Sequence, residues 1–184
     1  MRTRTSAGTR ASILAAARQR FATDGYDGAT IRAIAGDAAI DPSMVMRYFG
    51  NKQQLFAAAA DLDLQLPDLA TVPRRALGRL LAAHFLQRWE TDDALKVLLR
   101  TASTNEAAAA RMHAIFTTQL TRVVTRGPAD PEEAPLRAGL IATQVLGMAL
   151  CRYVLQLAPM TELTRDEVVA WLGPTLQRYV AGAR

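Results

Sequence analysis

Cysteine and histidine are scarce in this chain, which has one Cys and two His among 184 residues. The lone cysteine, Cys151, cannot form an internal disulfide, and such a composition is typical of a reducing compartment. The stretch from Met1 to Thr9 is polar and lacks the apolar segment of a secretory signal. We therefore expect a cytoplasmic protein without a disulfide framework.

The short motifs of common enzyme and cofactor sites are also missing. The sequence has no glycine-rich phosphate loop, no paired-histidine metal motif and no nucleophile elbow. His84 and His113 lack partners at metal-ligand spacing, so we expect them on the surface or hydrogen-bonded in the core. These absences predict that the chain is not an enzyme and uses no cofactor and no metal ion.

Aromatic residues make up only 6% of the chain, although half of the residues are hydrophobic. The apolar residues recur at helical spacing from end to end, without the alternation of half-buried strands. Helix starts are marked by Thr30, by Asp41 followed by Pro42, and by a capping box at Thr164 and Glu167. The pattern predicts an all-α protein of about nine helices. They run up to Gly25 and over roughly 31–38, 42–49, 52–64, 74–90, 93–103, 106–125, 132–157 and 164–181.

The most apolar stretch runs from Gly139 to Cys151, so a membrane span has to be considered. Gln144 interrupts the stretch, and arginines flank it closely on both sides. Fewer apolar residues remain than the roughly 20 that a bilayer requires. We predict a helix buried on nearly all sides, and no membrane partner.

Positive charge is concentrated at the N-terminus. The formal net charge is +5, and residues 1–60 hold four of these charges because they contain eight basic and four acidic side chains. A basic surface suits a polyanionic partner. The charge pattern predicts a basic N-terminal domain over residues 1–60 and a nearly neutral, more apolar domain over residues 61–184.

Two short predicted helices, 31–38 and 42–49, are separated by only three residues, which is the arrangement of a helix-turn-helix. At 100° per residue, Val45 and Phe49 of the second helix fall together and point to the core. The opposite face carries Ser43, Met44, Arg47 and Tyr48. A recognition helix needs this division, although a helical surface with ordinary solvated charges has the same pattern.

Several runs of residues match one known family. They are Thr9-Arg10, Ile13-Leu14, Ala16-Ala17, Phe21, Gly25-Tyr26, Thr30 to Ala35, Asp41 to Lys52, and Leu55-Phe56. Together they strongly resemble the N-terminal DNA-binding domain of TetR-family transcriptional regulators. A weaker resemblance to the C-terminal domain of one actinobacterial-type branch lies in Gln144 to Leu150, Arg152-Tyr153 and Leu172 to Pro174.

The sequence departs from the usual family pattern at two positions. Ala39 occupies the turn position that is often glycine, where a left-handed backbone conformation would cost on the order of 1 kcal/mol. Met46 occupies a position where many members have tyrosine, which removes one hydroxyl from the edge of the recognition helix.

The resemblance implies that a homodimer binds palindromic double-stranded DNA. We expect Thr30 and the start of its helix to hold a phosphate, with Arg32 beside them. Ser43, Met44 and Arg47 are expected at base edges, and Tyr48 and Lys52 resemble the family's phosphate anchors. The full set of predicted DNA-binding residues is Thr30, Arg32, Pro42, Ser43, Met44, Arg47, Tyr48 and Lys52. Arg2, Arg4 and Arg10 form either a phosphate-seeking arm or a solubilising terminus.

For the C-terminal domain, the resemblance implies dimerisation and the binding of a small ligand. The candidate ligand residues are Phe85, Trp89, Met112, Phe116, Met148 and Cys151. The candidate dimer residues are Gly139, Thr143, Gly147, Trp171, Thr175 and Arg178. We expect a repressor that a small apolar or amphipathic ligand releases through a tilt of the fourth helix. A regulator of the same fold without an effector, controlled by a protein partner or by its own abundance, is the alternative.

Overall fold

The computed structural model describes residues 6–59, 63–128 and 130–182, which form helices and short connecting segments with no strand among them. This confirms the predicted all-α fold. The helices are α1 (Ser6–Gly28), α2 (Ile31–Asp37), α3 (Pro42–Phe49), α4 (Lys52–Ala59), α5 (Leu77–Thr91), α6 (Asp93–Ala102), α7 (Glu106–Ile115), α8 (Thr121–Thr125), α9 (Ala134–Ala149) and α10 (Arg165–Ala181). A π-helical turn, Phe116–Leu120, joins α7 to α8, and a second, Leu150–Val154, extends α9.

The predicted helix boundaries hold where capping chemistry sets them. The backbone of α1 leaves the helical region at Gly25, which has φ 71° and ψ 177°. Both halves of the capping box at Thr164 and Glu167 are present. The predicted extension of the fourth helix to Leu64 is wrong, because the amide of Leu64 donates instead to Gln119 Oε1 at 2.8 Å and Gln65 adopts φ 51°.

The packing divides the chain into two compact units, and their limits differ from the predicted boundary near residue 60, which stays a prediction. Among the described residues, the first unit comprises 6–59 together with 93–111. In this unit α1 packs against α2, α4 and α6. Its core includes an aromatic cluster, in which the rings of Phe21 and Tyr26 lie 4.9 and 5.1 Å from Phe56.

The second unit comprises residues 63–92 and 112–182, and its central contact is that of α5 with α10. A side chain at Gly78 would meet the carbonyl oxygen of Gly173 at 2.2 Å, so only glycine permits this approach of the two helices. The amide of Gly78 donates to Gln177 Oε1 at 2.8 Å. At the end of α10, Arg137 donates to the carbonyl oxygen of Tyr179 at 3.0 Å, and Arg74 donates to that of Ala181. Cationic groups at a helix C-terminus stabilise it.

Helix α9 has one buried face and one exposed face. The segment Pro131–Val154 has the length and hydropathy of a membrane span, and only 33% of its most apolar window is buried. Ile141 and Val145 lie inside, whereas Gly139, Thr143 and Gly147 are exposed. The prediction of a helix buried on nearly all sides is therefore wrong. Small and apolar residues occupy both faces, so hydropathy does not tell which face packs within the chain.

The turn between α2 and α3 has the backbone strain that its sequence predicts. Ala39 adopts φ 52°, in the left-handed region that favours glycine. The turn is closed by the amide of Ala39, which donates to the Gly36 carbonyl, and by that of Ile40, which donates to the Ala35 carbonyl, both at 3.0 Å. The packing of the two helices therefore maintains a conformation that alanine disfavours.

We expect Ala39→Gly to raise the free energy of unfolding by about 0.5–1 kcal/mol, because relief of the left-handed strain exceeds the added chain entropy of glycine. In a chain of this size the melting temperature should rise by about 1–4 °C. Thermal unfolding followed by circular dichroism measures the change. Ala15→Gly, at an exposed position inside α1, should lower the free energy by about 1 kcal/mol. A loss of stability in both variants would contradict the strain at Ala39.

Candidate nucleic-acid interface

Local hydrogen bonds fix the starts of α2 and α3. Thr30 Oγ1 accepts from the amide of Ala33 at 3.1 Å. Asp41 Oδ1 accepts from the amide of Ser43 at 2.8 Å and from its hydroxyl at 2.5 Å. The hydroxyl bond, and after it the amide bond, lowers the pKa of Asp41. Both caps use side chains within three residues of the helix start, which is why the sequence alone predicts them.

Helix α3 is oriented by two buried side chains. Val45 is fully buried and Phe49 is 6% exposed, which confirms the face that the sequence assigns to the core. The opposite side carries Ser43 and Arg47, both exposed. All eight predicted DNA-binding residues are exposed or partly exposed. Their side chains are therefore accessible to a ligand, as a recognition surface requires.

An ion pair fastens α1 to the end of α2. The guanidinium of Arg20 binds both carboxylate oxygens of Asp37, with Nη2 to Oδ1 at 2.8 Å, and it also contacts Asp24 Oδ2 at 3.2 Å. The hydrogen bonds from Arg20 lower the pKa of Asp37 below its ordinary value. A bidentate arginine–carboxylate pair restricts orientation as well as distance. It therefore holds the first helix of the helix-turn-helix in place.

Tertiary contacts fix the two predicted phosphate anchors, which lie near the end of α3 and at the start of α4. The hydroxyl of Tyr48 donates to Ser6 Oγ in α1 at 3.1 Å. Lys52 Nζ lies 4.7 Å from the centre of the Tyr26 ring and donates to the carbonyl oxygen of Asp27 at 3.1 Å. Both side chains are held in place before any ligand binds.

The basic residues predicted as an N-terminal arm separate into two groups. Arg10 is part of α1, and its guanidinium lies 5.2 Å from the centre of the Phe49 ring. It therefore supports the end of α3. Arg2 and Arg4 lie outside the described residues. Sequence reasoning missed the supporting roles of Arg10 and Ser6, because nothing in their local sequence indicates contact with residues about 40 positions away.

Met46 adds an apolar element to the outer surface of α3. Its side chain is 43% exposed. At 100° per residue it lies about 60° from Ser43, on the side away from Met44. Its thioether offers van der Waals contact and donates no hydrogen bond.

Four of the candidate ligand residues are buried in the second unit. Phe85, Trp89, Met112 and Phe116 are each at most 6% exposed, and the rings of Phe85 and Phe116 stack with centroids 6.2 Å apart. Trp89 Nε1 is buried and has no hydrogen-bond partner within the part of the chain that the structure describes. Buried donors are normally paired, so this one requires an acceptor.

The other two candidates, Met148 and Cys151, lie elsewhere. They line a surface groove of about 600 Å³ between α9 and α10. The same groove is lined by four predicted dimer residues, which are Thr143, Gly147, Trp171 and Thr175. The remaining dimer candidates, Gly139 and Arg178, are exposed on the same two helices. Some of the candidate ligand residues and most of the candidate dimer residues, which the sequence analysis assigns to separate sites, therefore line the same groove.

Two features of the second unit were missed by sequence reasoning. Leu136 and Leu140, 66% and 37% exposed, extend the apolar surface of α9. The segment after α4 is also clamped, because Leu64 offers its amide to Gln119 and its carbonyl oxygen to His84 Nε2 at 2.8 Å. His84 therefore has the hydrogen-bonded position expected of it.

Among residues 6–59, 63–128 and 130–182, no group of three or more potential metal ligands comes together.

The geometry defines a class of protein: a helix-turn-helix unit with an accessible second helix, in a chain with a further all-helical unit. Two family profiles match the sequence. Bacterial regulatory proteins of the tetR family match residues 13–59, and the tetracyclin repressor-like C-terminal domain matches residues 76–180. The chain belongs to the TetR family of transcriptional regulators, as its motifs predict, and is a DNA-binding regulator, not an enzyme.

Solved structures support the same fold. The crystal structure of a TetR-family regulator from Streptomyces coelicolor A3 has 29% identity and a TM-score of 0.62 over 98% of both chains. A TetR-like transcriptional regulator from Rhodococcus sp. RHA1 has 20% identity and a TM-score of 0.60, over 97% of this chain and 99% of that one. Another Rhodococcus regulator has 19% identity and a TM-score of 0.65, over 97% and 98%. Curated proteins gave no match.

We expect Lys52→Ala to weaken binding to specific and non-specific DNA by similar factors, because a phosphate contact carries no sequence information. The slope of log binding constant against log salt should become shallower by about 0.9 per protomer. Fluorescence anisotropy with labelled duplexes at several salt concentrations measures both effects. Arg122→Ala, which removes an exposed cation from α8, serves as the control. Equal slopes for the wild type and Lys52→Ala would contradict the phosphate contact.

Proposed function

We propose that this protein is a cytoplasmic transcriptional repressor that binds a palindromic operator as a homodimer. A small apolar or amphipathic ligand releases it. The accessible face of α3 carries the DNA-binding part of the proposal, because buried Val45 and Phe49 leave Ser43 and Arg47 on the outside. Arginine pairs bidentately with guanine, and an exposed methionine packs on thymine methyl groups.

The exposed surface of α9 and α10 supports dimerisation. Trp171 is 77% exposed and lies on the rim of the groove between these helices. Gly139 and Gly147 have nothing within 4 Å of an added Cβ, so a neighbouring helix has room to approach closely. Burying such a face against its own copy gives a four-helix contact with two-fold symmetry. Two recognition helices then meet half-sites about 34–36 Å apart, or a multiple of that spacing.

The core around Trp89 supports an effector site. An acceptor atom on a ligand would satisfy the unpaired Nε1 of Trp89, and the stacked rings of Phe85 and Phe116 offer an apolar wall. Phe116 begins a π-helical turn that also contains Gln119, and Gln119 binds the amide of Leu64. Displacement of Phe116 would therefore move Gln119 and, through its hydrogen bond, the segment that follows α4. This coupling works through different affinities of the ligand for two states.

Selection of bound genomic fragments tests the DNA-binding proposal. We expect enrichment of a palindrome, and the genes beside it indicate the chemical class of the effector. Arg47→Ala should flatten the preference at one base pair in each half-site, with a loss of about 1–3 kcal/mol in discrimination. Recovery of no common sequence by the wild-type protein would refute the proposal.

Trp171→Glu tests the dimer. A charge placed in an apolar interface is costly, whereas at a side chain that is 77% exposed it leaves the fold of one chain intact. We expect light scattering at micromolar concentration to show about 40 kDa for the wild type and 20.0 kDa for the variant. Gln87→Glu adds the same charge on the exposed surface of α5 and should leave the dimer unchanged. A wild-type monomer, or a dimeric Trp171→Glu, would contradict this interface.

A further inference from the structure

The hydroxyl group of Ser43 donates its only proton to a hydrogen bond within the protein. Its Oγ lies 2.5 Å from Asp41 Oδ1, and the same carboxylate oxygen accepts the amide of Ser43 at 2.8 Å. These are the distances of charge-assisted hydrogen bonds. An ionised carboxylate has no proton to give, and the lowered pKa of Asp41 keeps it ionised at neutral pH. The shared proton is therefore that of the Ser43 hydroxyl.

The committed proton changes what Ser43 offers to a ligand. A free serine hydroxyl donates or accepts, because it has one proton and two lone pairs. Here only the lone pairs remain available, on an exposed side chain in the first turn of α3. The N-terminal residues of a recognition helix are those that meet base edges in the major groove.

We propose that Ser43 is a specificity-determining residue that reads its base pair only as a hydrogen-bond acceptor, so that it selects adenine or cytosine. This inference rests on the proposed function. In the major groove the donors are the N6 amine of adenine and the N4 amine of cytosine. Guanine N7 and O6 and thymine O4 are acceptors, and they would face lone pairs with no proton between them.

The charge of Asp41 strengthens the same preference. A carboxylate within hydrogen-bond distance of Ser43 attracts an amine and repels the carbonyl oxygens of guanine and thymine. It also repels phosphate, whose oxygens only accept hydrogen bonds. Ser43 is therefore a reader of base edges and not an anchor to the DNA backbone.

The test is selection from a random DNA library by the full-length protein, followed by binding measurements on single-base variants of the selected site. At one position in each half-site the wild type should favour adenine or cytosine over guanine and thymine by about five- to tenfold, the worth of one hydrogen bond. Ser43→Ala should abolish the preference at this position only. Ser43→Thr should retain it, because threonine keeps the hydroxyl.

The variant Asp41→Ser tests whether the base preference depends on the hydrogen bond that commits the Ser43 proton, and not merely on contact between Ser43 and a base. Serine keeps the helix cap but carries no charge, so the hydroxyl of Ser43 is free to donate. We expect guanine or thymine to become acceptable at the position that Ser43→Ala identifies, while preferences elsewhere stay the same. A wild-type preference for guanine or thymine at that position, or no position that responds to Ser43→Ala, would overturn the inference and leave the proposed function standing. Absence of any selected sequence would overturn both.

Discussion

The burial of Val45 and Phe49 is the constraint on which the interface depends. Helices α2 and α3 have seven and eight residues, too few to be stable in isolation. Their orientation comes from packing: α3 contacts α2 and α4, and Arg20 ties α1 to Asp37 at the end of α2. Because Val45 and Phe49 occupy the core, Ser43 and Arg47 must face outward. The strained turn at Ala39 is tolerated because this packing outweighs about 1 kcal/mol of strain.

Hydrogen bonds and ring contacts then set the chemical character of the outward side chains before DNA arrives. Asp41 accepts a hydrogen bond from the hydroxyl of Ser43, the Tyr26 ring and the Asp27 carbonyl hold Lys52, and Ser6 accepts from Tyr48. Side chains fixed in this way lose less conformational entropy on binding. The identity of a residue on α3 therefore does not by itself say whether it donates, accepts or contacts phosphate.

The second unit combines one tight helix contact with one open face. Gly78 lets α5 and α10 approach until no side chain fits between them. On its other side α10 exposes Trp171, and α9 exposes glycines and leucines that an isolated chain would be expected to cover. The core near Trp89 and the open face are separate features. The buried core suits a ligand and the open face suits a second copy of the chain, and the candidate ligand residues are divided between these two places.

Sequence alone determined the all-α class, the helix-turn-helix and its inner face, the strained turn at Ala39 and the caps of α2, α3 and α10. These features depend on residues within a few positions of one another or on helical periodicity, so they can be predicted from the sequence. Only the tertiary structure decided that α4 ends before Leu64, that α9 is exposed on one side, and that Arg10 supports Phe49. Those outcomes depend on atoms brought together from distant parts of the chain. Hydropathy indicates how apolar the face of a helix is, whereas only the tertiary packing determines whether that face is buried within the chain.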